Sequence, residues 1–180
     1  FVTGTLDGWA SLVQMNFYFN MGGVFNEGRI HGICMIDENI GFEGAGDCLA
    51  DRRGAWMWTG YGFRTEIEAH REIQEFFDIE VVSIRLTDAR FYHIDTCFCP
   101  LTDGFLMYHP PAFDYESRIA IESRIPPHKR IIVDTMDAGN FACNAVNIGD
   151  RVILNSASEP LKARLMLAGF LLGFVHDRRL

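Results

Sequence analysis

The sequence predicts an α/β fold assembled from repeated modules of the ββαβ type. Strand-like and helix-like segments alternate through the central part of the chain, and no low-complexity stretch or linker divides it. The predicted order is strand, helix, strand, hairpin, helix, strand, strand, helix, which repeats in pattern although not in sequence identity. With 48% hydrophobic and 22% charged residues, the 180-residue chain suits one globular domain over residues 1–180.

The first predicted module lies between residues 56 and 86. Residues 56–61 (WMWTGY) have the apolar and β-favouring side chains of a buried strand. Thr65 is predicted to cap a helix over residues 66–78, because Glu68 follows it at the capping-box spacing. Residues 80–86 are predicted as the next strand.

The second and third modules are predicted from turn and helix-boundary signals. Residues 91–100 are predicted as a strand, and Asp103 and Gly104 as the turn of a hairpin. A helix over residues 115–125 is predicted to begin after the cap Asp114 and to stop at two prolines. The remaining predicted elements are strands at 104–108, 131–133 and 151–155 and a helix at 159–169.

Charge and cysteine content narrow the classes of partner. The formal net charge of −8 and the pI near 5.2 argue against nucleic acid or an anionic membrane and favour a cationic small molecule. The odd number of cysteines, five, indicates reduced thiols and therefore a cytoplasmic protein. The longest apolar stretch, residues 165–175, is too short to span a bilayer, and no secretory signal is visible.

The segment 91–100 contains the most suggestive polar side chains. If it is a strand, His93, Asp95, Cys97 and Cys99 share one face, and such a face is costly to bury unless it is hydrogen-bonded or functional. Histidine transfers protons near neutral pH, and the neighbouring carboxylate can hold a cation. The alternative is a solvent-facing strand with an incidental histidine. A metal site is disfavoured, because four alternate residues span about 20 Å and only two neighbours can share an ion.

Three further segments contain candidate binding residues. Glycines surround Glu43 and Asp47 and would let a backbone approach a ligand closely, although the segment lacks the lysine of a phosphate loop and an acidic turn is the alternative. Arg64 precedes the predicted helix start, where a carboxylate could bind. The loop 141–150 contains Asn147 and could equally be a turn leading into the next strand.

Together and in this order, these segments resemble the amidinotransferase and dimethylarginine dimethylaminohydrolase family of the guanidine-modifying pentein superfamily. The matching motifs are FEGAGD at 42–47, GYGFRTE at 60–66, FYHIDT at 91–96, and the segments 108–113 and 141–149. They lie within about 130 of the 180 residues, whereas residues 1–37 match poorly. The resemblance implies a pentein α/β propeller of ββαβ modules, of which this chain holds about three to four of the usual five.

The resemblance also implies a covalent mechanism without a metal or organic cofactor. A cysteine attacks the guanidinium carbon of arginine or a methylated arginine, and water or an amine resolves the thiouronium intermediate. His93 is expected to be the general acid and base, with Glu43 paired to it. Asp95 is expected to hold the guanidinium nitrogens and Arg64 the α-carboxylate of the substrate, and the further expected substrate-binding residues are Asp47 and Asn147.

The chain departs from the family at the nucleophile. The family's cysteine follows the strand after the helix that is predicted to end at Gly169, but no cysteine follows Cys143 here. The expected function is therefore a hydrolase or amidinotransferase whose nucleophile is missing from this chain. The alternative is an inactive homologue or fragment that binds arginine-like ligands or a protein partner. An incomplete propeller would leave edges for a second copy or a completing chain to cover.

Overall fold

The computed structural model describes residues 40–175, and the expectations for residues 1–37 lie outside the described residues. The predicted α/β fold of repeated modules is confirmed. The strands are β1 (Cys48–Ala50), β2 (Met57–Tyr61), β3 (Val81–Arg85), β4 (Phe98–Pro100), β5 (Leu106–Tyr108), β6 (Arg130–Ile132), β7 (Val146–Ile148), β8 (Arg151–Leu154) and β9 (Leu171–Phe174). The helices are α1 (Ala69–Phe77), α2 (Tyr115–Arg124), α3 (Thr135–Gly139) and α4 (Glu159–Leu167).

Three sheets with the same topology make up the described part of the chain. Their strand orders are β1-β2-β3, β4-β5-β6 and β7-β8-β9. In each sheet the first two strands are antiparallel, and the third runs parallel to the second after a helical connection. The repeating unit is therefore a ββαβ module, as the sequence pattern predicted, although β1, β7, β9 and α3 were not predicted.

The local turn and cap signals of the second module are confirmed. Asp103 and Gly104 have φ angles of 58° and 73°, which close the hairpin between β4 and β5. Asp114 caps α2, because its Oδ1 accepts a hydrogen bond from the amide of Ser117 at 2.9 Å. These residues specify their structure through contacts with near neighbours in the sequence.

The predicted start of α1 is wrong. The helix begins at Ala69, and Thr65 does not cap it. The Thr65 hydroxyl instead donates a hydrogen bond to Oδ2 of Asp47 at 2.8 Å, and the backbone amide of Glu43 donates to the same hydroxyl. A buried carboxylate that needs donors thus outcompetes the capping geometry.

The prediction of one strand over residues 91–100 is also wrong. Residues Ile94–Thr96 form a 3₁₀ turn, and the strand is limited to β4. The Ile94 amide donates to Oδ1 of Asp47 at 3.0 Å, and the Thr96 hydroxyl donates to the carbonyl of His93, so these groups are not available to a strand ladder. His93 therefore precedes a turn that contains Asp95, whereas Cys97 and Cys99 are buried in the core.

Helices pack between successive modules and join them into one core. α2 packs against β3 of the first sheet, where the Arg85 amide donates to the hydroxyl of Ser117 at 2.7 Å. α4 reaches the second sheet, where Nη1 of Arg164 donates to the carbonyl of Ile132 at 2.5 Å. The rings of Phe105 and Phe170 meet edge to face across the same boundary at 5.5 Å. This packing fixes the relative positions of the turns that carry the polar residues.

The third sheet has one apolar face exposed, among the residues that the structure describes. We call it the third-sheet face; it carries Val146, Ile148 and Leu171, which are 56%, 64% and 53% exposed, and the exposed Arg151, which pairs with Ile148 and Leu171. In the first sheet, by contrast, the face turned away from α1 carries Trp58 and Ile84 and is buried against the second module. The third sheet therefore presents a face of the kind that another module covers in the first sheet.

Candidate active site

His93 lies between two carboxylates. Its Nδ1 is 2.9 Å from Oδ2 of Asp47, and its Nε2 is 2.9 Å from Oε2 of Glu43. Both ring nitrogens can donate to these oxygens only when the imidazole is protonated. Burial opposes that charge, but the hydrogen bond to Asp47 and the charges of Asp47, Glu43 and Asp95 outweigh it and raise the pKa of His93.

Asp47 is the buried anchor of this arrangement, with 1% of its surface exposed. Its Oδ2 accepts from His93 and from the hydroxyl of Thr65, and its Oδ1 accepts from the amide of Ile94. A carboxylate with this many donors and almost no exposed surface is not placed to meet a ligand. The structure thus gives Asp47 a position behind His93, which differs from its expected role in substrate binding.

Two glycines allow the segments around His93 to approach closely. A Cβ atom on Gly60 would lie 2.2 Å from Cγ2 of Ile94 and 2.8 Å from Oδ1 of Asp47. A Cβ atom on Gly46 would lie 2.9 Å from the imidazole of His93. Gly46 and Gly60 are therefore needed because a side chain at either position would collide with residues of the site. From the sequence alone, the glycines were expected to let the backbone approach a ligand.

Glu43 and Arg64 form the open side of the site. Nη1 of Arg64 lies 3.1 Å from Oε1 of Glu43, and the two side chains are 52% and 39% exposed. The Arg64 guanidinium also lies over the ring of Tyr92 at 5.4 Å from its centroid. Because α1 begins five residues after Arg64, this arginine is not at the helix terminus as expected, but its exposed donors can still bind a carboxylate.

Asp95 lies in the turn Ile94–Thr96, which directly follows His93, and the two groups influence each other's charge. Burial is the main cause that raises the pKa of Asp95 to about 6, and Asp47 adds to it, whereas His93 and a hydrogen bond from Asn144 oppose it. The side-chain amide of Asn144 donates to Oδ2 of Asp95 at 3.2 Å and to its carbonyl at 3.3 Å. Near neutral pH this carboxylate can be ionised. A cationic ligand beside it would offset the cost of burying its negative charge.

Asn144 was missed by the sequence interpretation, which selected Asn147 from the same loop. Asn147 is buried and belongs to a different set of contacts: its Oδ1 accepts from the amide of Thr102 at 2.8 Å, and its Nδ2 donates to the carbonyls of Gly149 and Arg151. This amide joins the hairpins of the second and third modules. The structure does not bring it to His93 through any of these contacts.

The four described cysteines are all buried. Burial raises the pKa of Cys97 and Cys143 well above the ordinary value and that of Cys99 to about 12. Cys48 lies at the first sheet, with its Sγ 3.3 Å from the hydroxyl of Thr59. An attacking cysteine needs a low pKa and access, so the burial of these thiols disfavours them as nucleophiles.

Taken together, the described residues place three carboxylates and one arginine around a protonatable histidine. Such a site can bind a planar cation with several N–H groups and can give it or take from it a proton. Within residues 40–175, no group of three or more histidine, cysteine or acidic side chains is arranged to hold a metal ion. In the same range, no helix is both long enough and apolar enough to cross a bilayer.

Known proteins with similar sequences act on arginine or its derivatives. The bifunctional arginine dihydrolase/ornithine cyclodeaminase ArgZ of Synechocystis is 58% identical over 135 residues, which cover 75% of this chain and 19% of ArgZ. AgrE of Nostoc, of the same description, is 51% identical over 80% of this chain and 20% of its own length. The N(G),N(G)-dimethylarginine dimethylaminohydrolase of Mycobacterium tuberculosis is 41% identical over 71% of this chain and 41% of its own length. No protein-family profile matches the chain.

Solved structures show the same fold. The substrate-bound N-terminal domain of ArgZ superposes with a TM-score of 0.76 at 58% identity, over 76% of this chain and 51% of that domain. A dimethylarginine dimethylaminohydrolase gives a TM-score of 0.59 at 17% identity, which concerns the fold alone. The chain thus spans about a fifth of the length of ArgZ and AgrE and about half of the solved ArgZ domain.

Proposed function

Since this chain belongs to the pentein superfamily of guanidine-modifying enzymes, we propose that its site binds the guanidinium group of arginine or a methylated arginine. The observation that carries the proposal is the position of His93 between Glu43 and Asp47, with Asp95 beside it. A guanidinium is a planar cation with N–H donors on three sides, so neighbouring carboxylates are its natural partners. Because these carboxylates lie beside His93, a bound guanidinium would also be close to a group that can transfer protons during attack at its carbon.

The proposed reaction uses the described residues in two proton transfers. A cysteine thiolate forms a bond to the guanidinium carbon, and the bond to the departing nitrogen breaks as protonated His93 donates its proton to that nitrogen. The resulting thiouronium is resolved when neutral His93 takes a proton from water or an amine, which attacks the same carbon and releases the thiolate. His93 returns to its protonated state, so the cycle balances.

Each carboxylate has a separate proposed part in this cycle. Asp47 holds Nδ1 of His93 from behind and fixes the orientation of the ring. Glu43 pairs with Nε2 and stabilises the protonated imidazole on the side that faces the ligand. Asp95 binds the guanidinium nitrogens, and the exposed donors of Arg64 bind the α-carboxylate of the amino acid.

We further propose that none of the four described cysteines is the nucleophile. Cys97, Cys99 and Cys143 are buried in the core with raised pKa values. The raised pKa keeps each sulfur as a thiol near neutral pH, where it attacks carbon poorly. The chain is therefore proposed to hold the acid–base and guanidinium-binding part of the site.

A turnover assay tests the proposal that none of the described cysteines is the nucleophile. Formation of citrulline or ornithine from L-arginine by the chain is expected to be absent or weak, because the described thiols are buried. The assay should be run at several protein concentrations and repeated after treatment with a thiol reagent. Robust turnover that a thiol reagent abolishes would contradict the proposal and would indicate that a cysteine of this chain is the nucleophile.

The alternative function is ligand or partner binding without turnover, and the third-sheet face favours it. An exposed face that carries Val146, Ile148 and Leu171 around Arg151 suits a covering chain, either a second copy or a completing partner. Arginine-dependent thermal stabilisation without product would support binding alone. Specific activity that rises with protein concentration would instead indicate that association between copies completes an active site.

A further inference from the structure

Asn144 links the third module to the turn that carries Asp95. Its Nδ2 donates to Oδ2 of Asp95 at 3.2 Å and to the backbone carbonyl of the same residue at 3.3 Å. One amide therefore fixes both the side chain and the backbone of a single residue that is 49 positions away. This contact crosses between modules, so it constrains the site from outside the segment that contains His93.

The loop that presents Asn144 is anchored independently of this contact. Ala142 and Cys143 are 0% and 1% exposed, and the Ala142 amide donates to the carbonyl of Asp137 at 3.1 Å. The backbone N–H of Asn144 donates to the carbonyl of Phe141 at 3.0 Å and closes the turn. Because the core holds the backbone on the N-terminal side of Asn144, the side-chain amide is placed in advance rather than recruited by Asp95.

We propose that Asn144 is a positioning residue that keeps the Asp95 carboxylate ionised and aimed at the cation, a role that rests on the proposed function. The charged groups that act on Asp95 are His93, which favours its ionised form, and Asp47, which opposes it. Glu43 is paired with Nε2 of His93, and burial raises the pKa of Cys97, which follows the turn, so that it stays a neutral thiol. Asn144 adds a donor from the third module, and its amide does so without introducing a charge that would repel the guanidinium.

The proposal is tested by titrating the Asp95 carboxyl carbon by ¹³C NMR in the whole chain. In Asn144→Ala the pKa of Asp95 is expected to rise by roughly half a unit to one unit, since the variant loses a hydrogen bond to the charged form. In Asn144→Asp the rise is expected to be larger, because a like charge replaces the donor. Asn155→Ala removes another exposed asparagine, whose amide donates to the carbonyl of Asn140, and should leave Asp95 unchanged.

Calorimetric titration with L-arginine separates this inference from the proposed function. In Asn144→Ala, arginine affinity near pH 6 is expected to fall by about three- to tenfold and to recover in part at pH 8, where Asp95 ionises anyway. An Asp95 titration that is unchanged in both variants would overturn the role of Asn144. A shifted titration in a chain that does not bind arginine would instead refute the proposed function alone. Asn144→Ser, whose hydroxyl can still donate, gives a second reading if the alanine variant unfolds.

Discussion

Replacing Asp95 with asparagine is expected to stabilise the folded protein at pH 8 and to remove most of its affinity for arginine. Burial raises the pKa of Asp95 from the ordinary 3.8 to about 6, so the folded state disfavours the ionised carboxylate that exists at pH 8. Removing that charge should add about 1–2 kcal/mol to the free energy of unfolding, after allowance for partial exposure. Urea unfolding at several pH values measures this gain.

The gain in the free energy of unfolding in Asp95→Asn should depend on pH. A folded-state pKa above the unfolded value means that the stabilising contribution is present at low pH and is lost as the pH rises through about 6. The gain in Asp95→Asn should therefore shrink as the pH falls through 6 and vanish below 3.8. The raised pKa of His93 acts in the same direction at higher pH, so these two groups should lower the stability of the wild-type protein as the pH rises from 3.8 through about 6 and again above 6.5.

Arginine binding should change in the opposite direction. Loss of the negative partner of a partly buried charge pair costs about 2–5 kcal/mol, so the affinity of Asp95→Asn should fall by about 30-fold or more. Asp103→Asn is a matched control, because Asp103 is exposed in a hairpin turn whose positive φ asparagine tolerates. A variant that binds arginine as tightly as the wild type would contradict the assignment of Asp95.

Replacing Asp47 with asparagine should have the largest effect on stability. Asp47 accepts hydrogen bonds from His93, Thr65 and Ile94 while it is 1% exposed. An asparagine would turn an NH₂ group toward at least one of these donors and would leave protonated His93 without its buried partner. The expected loss is about 3 kcal/mol or more in the free energy of unfolding, measured by urea titration.

The same variant should also change His93. Because Asp47 supplies the strongest of the influences that raise the pKa of His93, its loss should let burial dominate and lower that pKa. A proton NMR titration of the imidazole measures the change, and Asp150→Asn, at an exposed position, is the control. If the His93 titration is unchanged in Asp47→Asn, the positioning role of Asp47 is wrong.

The features that were predicted from sequence are those specified by near neighbours. Asp103 and Gly104 close a hairpin through their own backbone angles, and Asp114 caps α2 through the amide of Ser117, three residues later. The repeat of strands and helices follows from the alternation of apolar segments. Such signals survive folding because their energy does not depend on distant parts of the chain.

The errors occur where a distant group decides the local structure. Residues 91–100 alternate like a strand, but the amide of Ile94 bonds to Asp47, which lies 47 positions earlier. Thr65 has the spacing of a cap but serves the same carboxylate. One buried aspartate thus accounts for both misplaced elements, and its depth in the core could not be inferred from the glycine-rich segment around it.

In the candidate site, too, some contacts were expected from the sequence and others depend on distant packing. The family resemblance led to the expectation that Glu43 pairs with His93, and their atoms lie 2.9 Å apart. It did not distinguish Asn144 from Asn147, since both are asparagines in one loop and only the packing of the third module decides which amide meets Asp95. The position of Asp47 behind the histidine likewise becomes visible only when three distant segments are brought together.

The cluster of His93 and Asp95 is expected to bind a guanidinium cation. The direct measurement is an NMR titration of the whole chain at pH 8 with L-arginine and, in parallel, with L-citrulline, its neutral analogue of equal length. We expect arginine to shift the His93 ring and Asp95 carboxyl signals saturably and citrulline to bind more weakly by about tenfold or more. Equal responses to both ligands, or no response at either residue, would contradict it.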